Sequence, residues 1–344
     1  MNMSKRSTRF SVPTLLAAAL SIAAVGYGQD SAQVRMQAEQ ILKQTGVQGG
    51  LIVYVGCGSG ELTAALGAAD RYLVQGLDRD PRRVDEAREH IASLGHYGRV
   101  SARRLRGDRL PYATGMVNLV VVEQPDEISA DEVQRVLSPG GVAYVRQGDG
   151  WRKTVKPRDE KTDEWTHVLH GPDGNAVADD AVVGPPEQIQ WVSTPRQARA
   201  HEHLASVSAL VSAGGRIFSI EDHGPAASVL LPPKWFLVAR DAFNGVVLWK
   251  RPVGPWQSPL TTFRAGPVTL ARRLIAIGDR VYATTGLGKP LEMLEAATGQ
   301  TLHTYEATEG TTEVLYRNGL LFVVVDKGDS RNATEAARRR GSDV

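Results

Sequence analysis

Short apolar runs alternate with helix-like segments through the first half of this 344-residue chain. Four largely apolar runs predict buried strands: Leu51–Val55, Tyr72–Leu77, Val117–Val122 and Val142–Val145. Helices are predicted at Ser31–Lys43, Glu61–Leu66, Val84–Leu94 and in the segment that ends at Val133–Leu137. Strands separated by helices predict a mostly parallel sheet that helices cover on both faces. We therefore expect an α/β domain over residues 31–150.

The pattern changes near Gly148, after which short strand-like runs and turns replace the alternation. Lys153–Asp163 is charged and contains Pro157, so residues 151–185 are expected to form a linker. The strand-like runs that follow are Ile217–Ile220, Leu237–Arg240, Val246–Trp249, Leu274–Ile277, Val281–Thr284 and Leu320–Val325. We expect an all-β domain at residues 186–330 and a polar tail at residues 331–344.

An internal repeat runs through this second half. Residues 239–249 and 294–303 each suggest a strand, a turn and a returning strand, with Asn-Gly or Thr-Gly in the turn. Asn-Gly between two strands is a strong hairpin signal because both residues tolerate positive φ. A second echo links Gly215–Phe218, Asp279–Tyr282 and Gly319–Phe322. Repeats of four short strands are typical of the blades of a β-propeller.

These repeats look like those of pyrroloquinoline-quinone-type propellers, a group that includes quinoprotein dehydrogenases and outer-membrane assembly scaffold lipoproteins. The resemblance covers roughly Val207–Val325 and rests on the Asp-Ala-x-x-Gly turn. A closed propeller needs at least about four blades, whereas two copies and the start of a third are present here. We expect an incomplete propeller from a fragment of a longer protein, with completion by another chain as the alternative.

A glycine-rich segment, Gly56-Cys57-Gly58-Ser59-Gly60, follows the first predicted strand and opens the next predicted helix. Glycine lets the backbone approach a ligand closely. The start of a helix offers N–H donors that have no partner within the helix. Such a loop suits an anionic ligand group such as a pyrophosphate, but a glycine loop alone does not identify the ligand.

Three further motifs follow the loop in order. Asp78 ends the second strand, where an acid can accept hydrogen bonds from ribose hydroxyls. Gly107-Asp108 precedes Leu110-Pro111-Tyr112, and Glu132–Gly141 ends in Pro-Gly-Gly. Taken in this order, the four motifs resemble a class I S-adenosylmethionine-dependent methyltransferase domain with a Rossmann-like fold. The resemblance implies S-adenosylmethionine as cofactor, with the residues expected to bind it being Gly56, Cys57, Gly58, Gly60, Asp78 and Asp108.

Two positions depart from the pattern of that family. Its members usually carry an acid two residues before the first glycine, where this chain has Tyr54. They usually carry an aspartate at the start of the fourth strand, where this chain has Asn118. Glu123, which follows that strand, is a weak candidate for a catalytic base, and a solvated loop acid is the alternative. The departures favour a domain that has lost its activity.

The N-terminus resembles an export signal. Lys5, Arg6 and Arg9 precede an apolar run from Val12 to Tyr27, which is short for a membrane span. We expect residues 1–28 to be a signal peptide and the protein to be exported to the periplasm or cell envelope, with an uncleaved anchor as the alternative. Cys57 is the single cysteine, so an internal disulfide is excluded.

Other candidate sites are weaker. His167, His170, His201, Glu202 and His203 have suitable side chains for a metal, but their spacing matches no known ligand pattern, so no metal site is expected. Five tryptophans are expected to pack between blades rather than stack on a quinone: Trp165, Trp191, Trp235, Trp249 and Trp256. The net charge of +2 gives no reason to expect a nucleic-acid partner.

Three functions remain open from the sequence. The first is methyl transfer from S-adenosylmethionine to an unknown acceptor, which the retained loop and acids favour. The second is a non-catalytic exported adaptor that binds proteins through the propeller, which the export signal favours, since S-adenosylmethionine is a cytosolic metabolite. A quinone-dependent dehydrogenase is third, because the blades that would hold a quinone are missing.

Overall fold

The structure is a computed structural model that describes residues 16–185, 189–195, 206–228, 230–256 and 268–326, with the backbone alone described at residues 16–30. The helices are α1 (Leu16–Thr45), α2 (Glu61–Leu66), α3 (Pro81–Ser93) and α4 (Ala130–Val136). The strands of the first sheet are β1 (Gly50–Val55), β2 (Tyr72–Asp78), β3 (Val100–Arg104), β4 (Val117–Val122), β5 (Leu137–Gln147) and β6 (Gly150–Val155).

The first sheet has the strand order β3-β2-β1-β4-β5-β6. Strands β1 to β5 run parallel, and β6 pairs antiparallel with β5. The chain builds outward from β1 to β3, then returns to the other side of β1 to form β4. Ligands of open α/β sheets bind at such a reversal, in the crevice beyond the carboxyl ends of the two strands. The fold therefore points to the ends of β1 and β4.

Helices cover both faces of this sheet, as the alternation predicts. Residues of α1, α2 and α3 pack on one face against Ile52 and Tyr54 of β1. Val133 and Val136 of α4 pack on the other face against Val53. Helix α1 is longer than the predicted Ser31–Lys43, because it continues back to Leu16. Within the described residues, no helix combines the length and apolarity needed to span a membrane.

The polar edge strands differ most from the prediction. Strand β6 falls where the linker was expected to begin, so the first domain reaches Val155. Its sequence carries few apolar residues because Trp151 alone stacks on the sheet, with its ring 4.7 Å from that of Tyr144. Strand β3 is likewise missing from the prediction, since its last residues, Arg103 and Arg104, are exposed. The segment Ser138–Gly141, predicted as a turn, forms the first part of β5.

The second half forms antiparallel sheets. One sheet contains β7 (Val207–Ala213), β8 (Arg216–Asp222), β9 (Trp235–Asp241) and β10 (Val247–Pro252). A second contains β11 (Leu274–Ile277), β12 (Arg280–Thr284), β13 (Leu291–Glu295) and β14 (Thr301–Tyr305), and a two-stranded sheet contains β15 (Thr311–Arg317) and β16 (Leu320–Val325). In both four-stranded sheets neighbours in sequence are neighbours in space. The predicted units of four short strands are present twice, and the described residues contain no closed ring of sheets.

Two tryptophans make the same contact in successive units. The indole N–H of Trp249 donates to the carbonyl of Ala296 at 2.8 Å, and a Cβ on Gly299 would lie 2.6 Å from its ring. The indole N–H of Trp191 donates to the carbonyl of Ala242 at 3.0 Å. A Cβ on Gly245 would lie 2.4 Å from that ring. Trp249 therefore packs between two neighbouring sheets, as expected, and Trp191 occupies the equivalent place one unit earlier.

The two halves meet at the amino ends of the parallel strands. The side-chain amide of Asn118 donates to Asp241 Oδ2 at 2.6 Å, and its oxygen accepts from Asn244 at 2.7 Å and from the backbone of Leu51 at 2.8 Å. Burial raises the pKa of Asp241, although the hydrogen bond from Asn118 acts in the opposite direction. A cavity of about 270 Å³ lies at this contact between the two halves, which we call the seam. The cavity is at the amino ends of the strands, whereas the glycine loop is at their carboxyl ends.

Candidate cofactor-binding site

The glycine loop turns directly out of β1 into α2. Gly60 has φ +84°, and a Cβ there would lie 2.7 Å from the Cβ of Ala87, so a larger residue would push α3 away. Gly58 has φ +51°, and nothing lies within 4 Å of the position of its missing Cβ. Glycine at residue 60 thus lets the loop pack on α3, whereas residue 58 leaves the backbone open to an approaching ligand.

Asp78 lies beside this loop, as the sequence predicts. The residue is 3% exposed, and its carboxylate accepts hydrogen bonds from the backbone N–H of Gly58 at 3.2 Å and of Asp80 at 2.9 Å. The Arg83 guanidinium is 4.0 Å away. Each carboxylate oxygen can accept a further hydrogen bond. The loop and the expected ribose acid are therefore held together at the crevice.

Asp108 lies at the rim of the crevice rather than within it. Its side chain is 93% exposed and pairs with the Arg79 guanidinium at 3.0 Å. The same Arg79 nitrogen donates to the backbone carbonyl of Glu127 at 2.7 Å. Arg79 therefore ties the loops after β2, β3 and β4 together. The sequence does not predict this role, because the three residues are far apart along the chain.

Tyr54 and Glu123 form a pair on the β1–β4 side of the crevice. The Tyr54 hydroxyl donates to Glu123 Oε1 at 3.1 Å. Burial, and then the negative charge of Glu123, hold the pKa of Tyr54 far above its usual value. The hydroxyl therefore stays protonated and remains a donor across the physiological range. Glu123 is half-buried, so it is not the fully solvated loop acid that the sequence also allowed.

Two other side chains of the crevice, Cys57 and Glu127, have raised pKa values. Burial, and then the charge of Asp78, raise the pKa of the Cys57 thiol to about 12, so Cys57 is a small buried residue and not a reactive thiolate. Burial and the same aspartate raise the pKa of Glu127. Glu127 Oε2 is buried and accepts no hydrogen bond within the described residues. This oxygen is an open acceptor for a ligand that carries N–H groups.

The histidines of the second half have structural contacts. His167 is buried, which lowers its pKa to about 4. Its Nε2 accepts from the backbone N–H of Tyr316 at 3.1 Å, so Nδ1 carries the proton toward the Thr166 hydroxyl at 2.8 Å. His170 pairs with Asp163 at 2.6 Å. His201, Glu202 and His203 lie outside the described residues. Among those described, no group of three histidine, cysteine or acidic side chains is arranged to hold a metal.

Residues 52–141 match the sequence model of a family described as a methyltransferase domain. Over these residues the chain is similar to that family, in agreement with the class I S-adenosylmethionine-dependent methyltransferase domain that the sequence predicts. The match includes the glycine loop, Asp78 and Asp108, and it supports S-adenosylmethionine as the cofactor. It leaves the residues after 141 unassigned.

Solved structures give partial overlaps. The chain is similar to a methyltransferase from Aquifex aeolicus, at 20% identity and a TM-score of 0.29 over 33% of this chain and 68% of that one. It is also similar to geranyl diphosphate C-methyltransferase from Streptomyces coelicolor, at 22% identity and a TM-score of 0.29 over 32% of this chain and 44% of that one. A third similar structure is a methyltransferase from Methanosarcina mazei, at 22% identity and a TM-score of 0.26 over 30% of this chain and 55% of that one. No curated protein matches the chain.

Proposed function

We propose that the methyltransferase domain binds S-adenosylmethionine between the carboxyl ends of β1 and β4 and transfers its methyl group to an acceptor. The observation that carries this proposal is the hydrogen bond between Gly58, which follows β1, and Asp78, which ends β2, next to the point where the strand order reverses. A glycine backbone open to ligand and a buried acid lie side by side there. Both suit a ligand that has ribose hydroxyls and a charged end.

The residues present fit this cofactor. Asp78 retains acceptor capacity for ribose hydroxyls, and the space beside Gly58 is open. Glu127 Oε2 is a buried acceptor with no partner among the described residues. Asp108, which the resemblance assigns to the adenine amino group, lies at the rim of the crevice, where Arg79 holds it. When bound, the cofactor supplies a methyl group on a sulfonium, which is a good leaving group. The contribution of the chain is therefore mainly orientation.

The proposal is tested by titrating the full chain with S-adenosylhomocysteine in a calorimeter. We expect binding in the micromolar range. Asp78→Ala should weaken it by about 1 to 3 kcal/mol, because ribose hydroxyls lose their acceptor. Asp80→Ala is the matched control. Its carboxylate caps α3 by accepting from the N–H of Arg82 at 2.9 Å, and its loss should lower stability without affecting affinity.

The second candidate function is an exported adaptor that binds other proteins through its β half. The basic and apolar N-terminus favours export, and the repeated Trp249 and Trp191 contacts support blades of a pyrroloquinoline-quinone-like propeller. In addition, Arg79 joins Asp108 at the rim of the crevice to the backbone carbonyl of Glu127, so the chain's own residues hold this rim together. Absence of heat with millimolar S-adenosylhomocysteine would reject the enzyme and leave the adaptor.

A further inference from the structure

The position of the acid that the methyltransferase family usually carries before its first glycine is filled here by Tyr54. The tyrosine hydroxyl points at a carboxylate from the neighbouring strand, Glu123 Oε1, at 3.1 Å. An acidic side chain is therefore present near this place, but it comes from the end of β4 instead of from β1.

Glu123 lies directly against the first glycine of the loop. Its backbone N–H donates to the carbonyl of Val55 at 3.2 Å, which continues the pairing of β4 with β1. A Cβ on Gly56 would lie 3.3 Å from the Cβ of Glu123. Glu123 therefore lies beside the glycine loop, on the β4 side of the reversal in strand order.

Tyr54 fixes the direction of this carboxylate. The tyrosine is buried in the core, and its raised pKa keeps the hydroxyl a donor. Oε1 of Glu123 is committed to that hydroxyl, whereas Oε2 accepts no hydrogen bond from the residues that the structure describes. One oxygen is therefore anchored, and the other is available to a ligand.

We propose that Glu123 accepts the ammonium group at the methionine end of the cofactor and that Tyr54 is its positioning residue. This inference rests on the proposed function, which places the cofactor between the carboxyl ends of β1 and β4. An ammonium group brings three donors and a positive charge, and a carboxylate is its strongest acceptor. Glu127 is the competing acid, because its Oε2 lies 3.8 Å from the position of a Cβ on Gly56. Glu127 has no hydroxyl partner among the described residues to set its direction.

The test compares two ligands that differ only at the end in question. S-adenosylhomocysteine carries the amino-acid end, and 5′-methylthioadenosine lacks it. For Glu123→Gln we expect affinity for S-adenosylhomocysteine to fall by about tenfold to a hundredfold, with affinity for 5′-methylthioadenosine changed by less than about twofold. Tyr54→Phe should give a smaller loss with the same selectivity, since the acid remains but loses its anchor.

The outcomes separate the inference from the proposed function. If the unaltered protein binds neither ligand, the proposed function fails. If it binds both, and Glu123→Gln weakens both equally or neither, the function stands and the role of Glu123 is overturned. Glu127→Gln serves as the matched variant. A selective loss of S-adenosylhomocysteine in Glu127→Gln and not in Glu123→Gln would assign the ammonium to Glu127 and also overturn the proposal.

Discussion

Strands β1 and β4 are neighbours, and each carries one departure from the family pattern, but at opposite ends of the sheet. At the amino end, Asn118 contacts Asp241 and Asn244 of the β half. At the carboxyl end, Tyr54 contacts Glu123 in the crevice. In both places the residue that replaces an acid donates a hydrogen bond to another acid. The departure on β4 thus holds the two halves of the chain together, whereas the departure on β1 contributes to the candidate site.

The difference changes how Asn118 is interpreted. From the sequence alone, the missing aspartate at residue 118 suggests lost activity, but this residue lies at the far end of β4 from the glycine loop. An aspartate at residue 118 would place two carboxylates at the seam, one of them the buried Asp241. Asn118 is therefore explained by docking, and it favours neither the enzyme nor the adaptor.

Restoring the family acid at residue 54 should have the largest effect. Tyr54→Asp removes a buried ring from the core and sets a second carboxylate near Glu123, so we expect a loss of about 3 to 5 kcal/mol in the free energy of unfolding. Urea denaturation followed by circular dichroism measures it. Tyr54→Phe keeps the ring and should lose at most about 1 kcal/mol. Equal stability of Tyr54→Asp and the unaltered protein would show that the ring does not fill the core.

Restoring the acid at residue 118 should have the next largest effect. In Asn118→Asp a carboxylate faces Asp241, and we expect a loss of about 2 to 4 kcal/mol at neutral pH. The pKa of Asp241 is already raised by burial, and a second charge raises it further. A raised carboxyl pKa means that the folded protein holds the proton more tightly than the unfolded chain. The penalty is therefore greatest above the folded pKa and fades as the pH falls through it.

A double substitution provides the control for residue 118. Asn118→Asp combined with Asp241→Asn exchanges the two groups and restores one amide and one carboxylate at the seam. The oxygen of an asparagine at residue 241 can still accept from the N–H of Phe243, which Asp241 does at 2.9 Å. We expect most of the lost stability to return, as urea denaturation at pH 7 and pH 5 would measure. A double variant no more stable than Asn118→Asp would mean that the pairing of residues 118 and 241 does not stabilise the seam.

Much of the first domain could be predicted because its central strands are buried on both faces. Val117–Val122 and Leu51–Val55 stand out as apolar runs, and the glycine loop and Asp78 follow from position alone. The polar edge strands β3 and β6 could not be predicted this way, since an edge strand that buries little leaves no apolar signal.

The contacts that decide the meaning of single residues could not be predicted. Asn118 and Asp241 are 123 residues apart, and Tyr54 and Glu123 are 69 residues apart. No local pattern links positions at such distances, because only the strand order brings them together. The repeats of the β half could be predicted from the sequence, because each hairpin turn is a local signal of a few residues.

The smallest expected effect tests whether the seam depends on one of two equivalent hairpin turns. Asn244 of the first turn donates to the carbonyl of Met116 at 2.9 Å and to the side-chain oxygen of Asn118 at 2.7 Å. Within the described residues, the hydroxyl of Thr298 in the second turn makes hydrogen bonds only inside its own turn. Asn244→Ala should cost about 1 to 2 kcal/mol and speed hydrogen exchange at residues 116–118. Thr298→Ala should leave exchange there unchanged. Equal exchange in both variants would mean that the first turn is no more a docking element than the second.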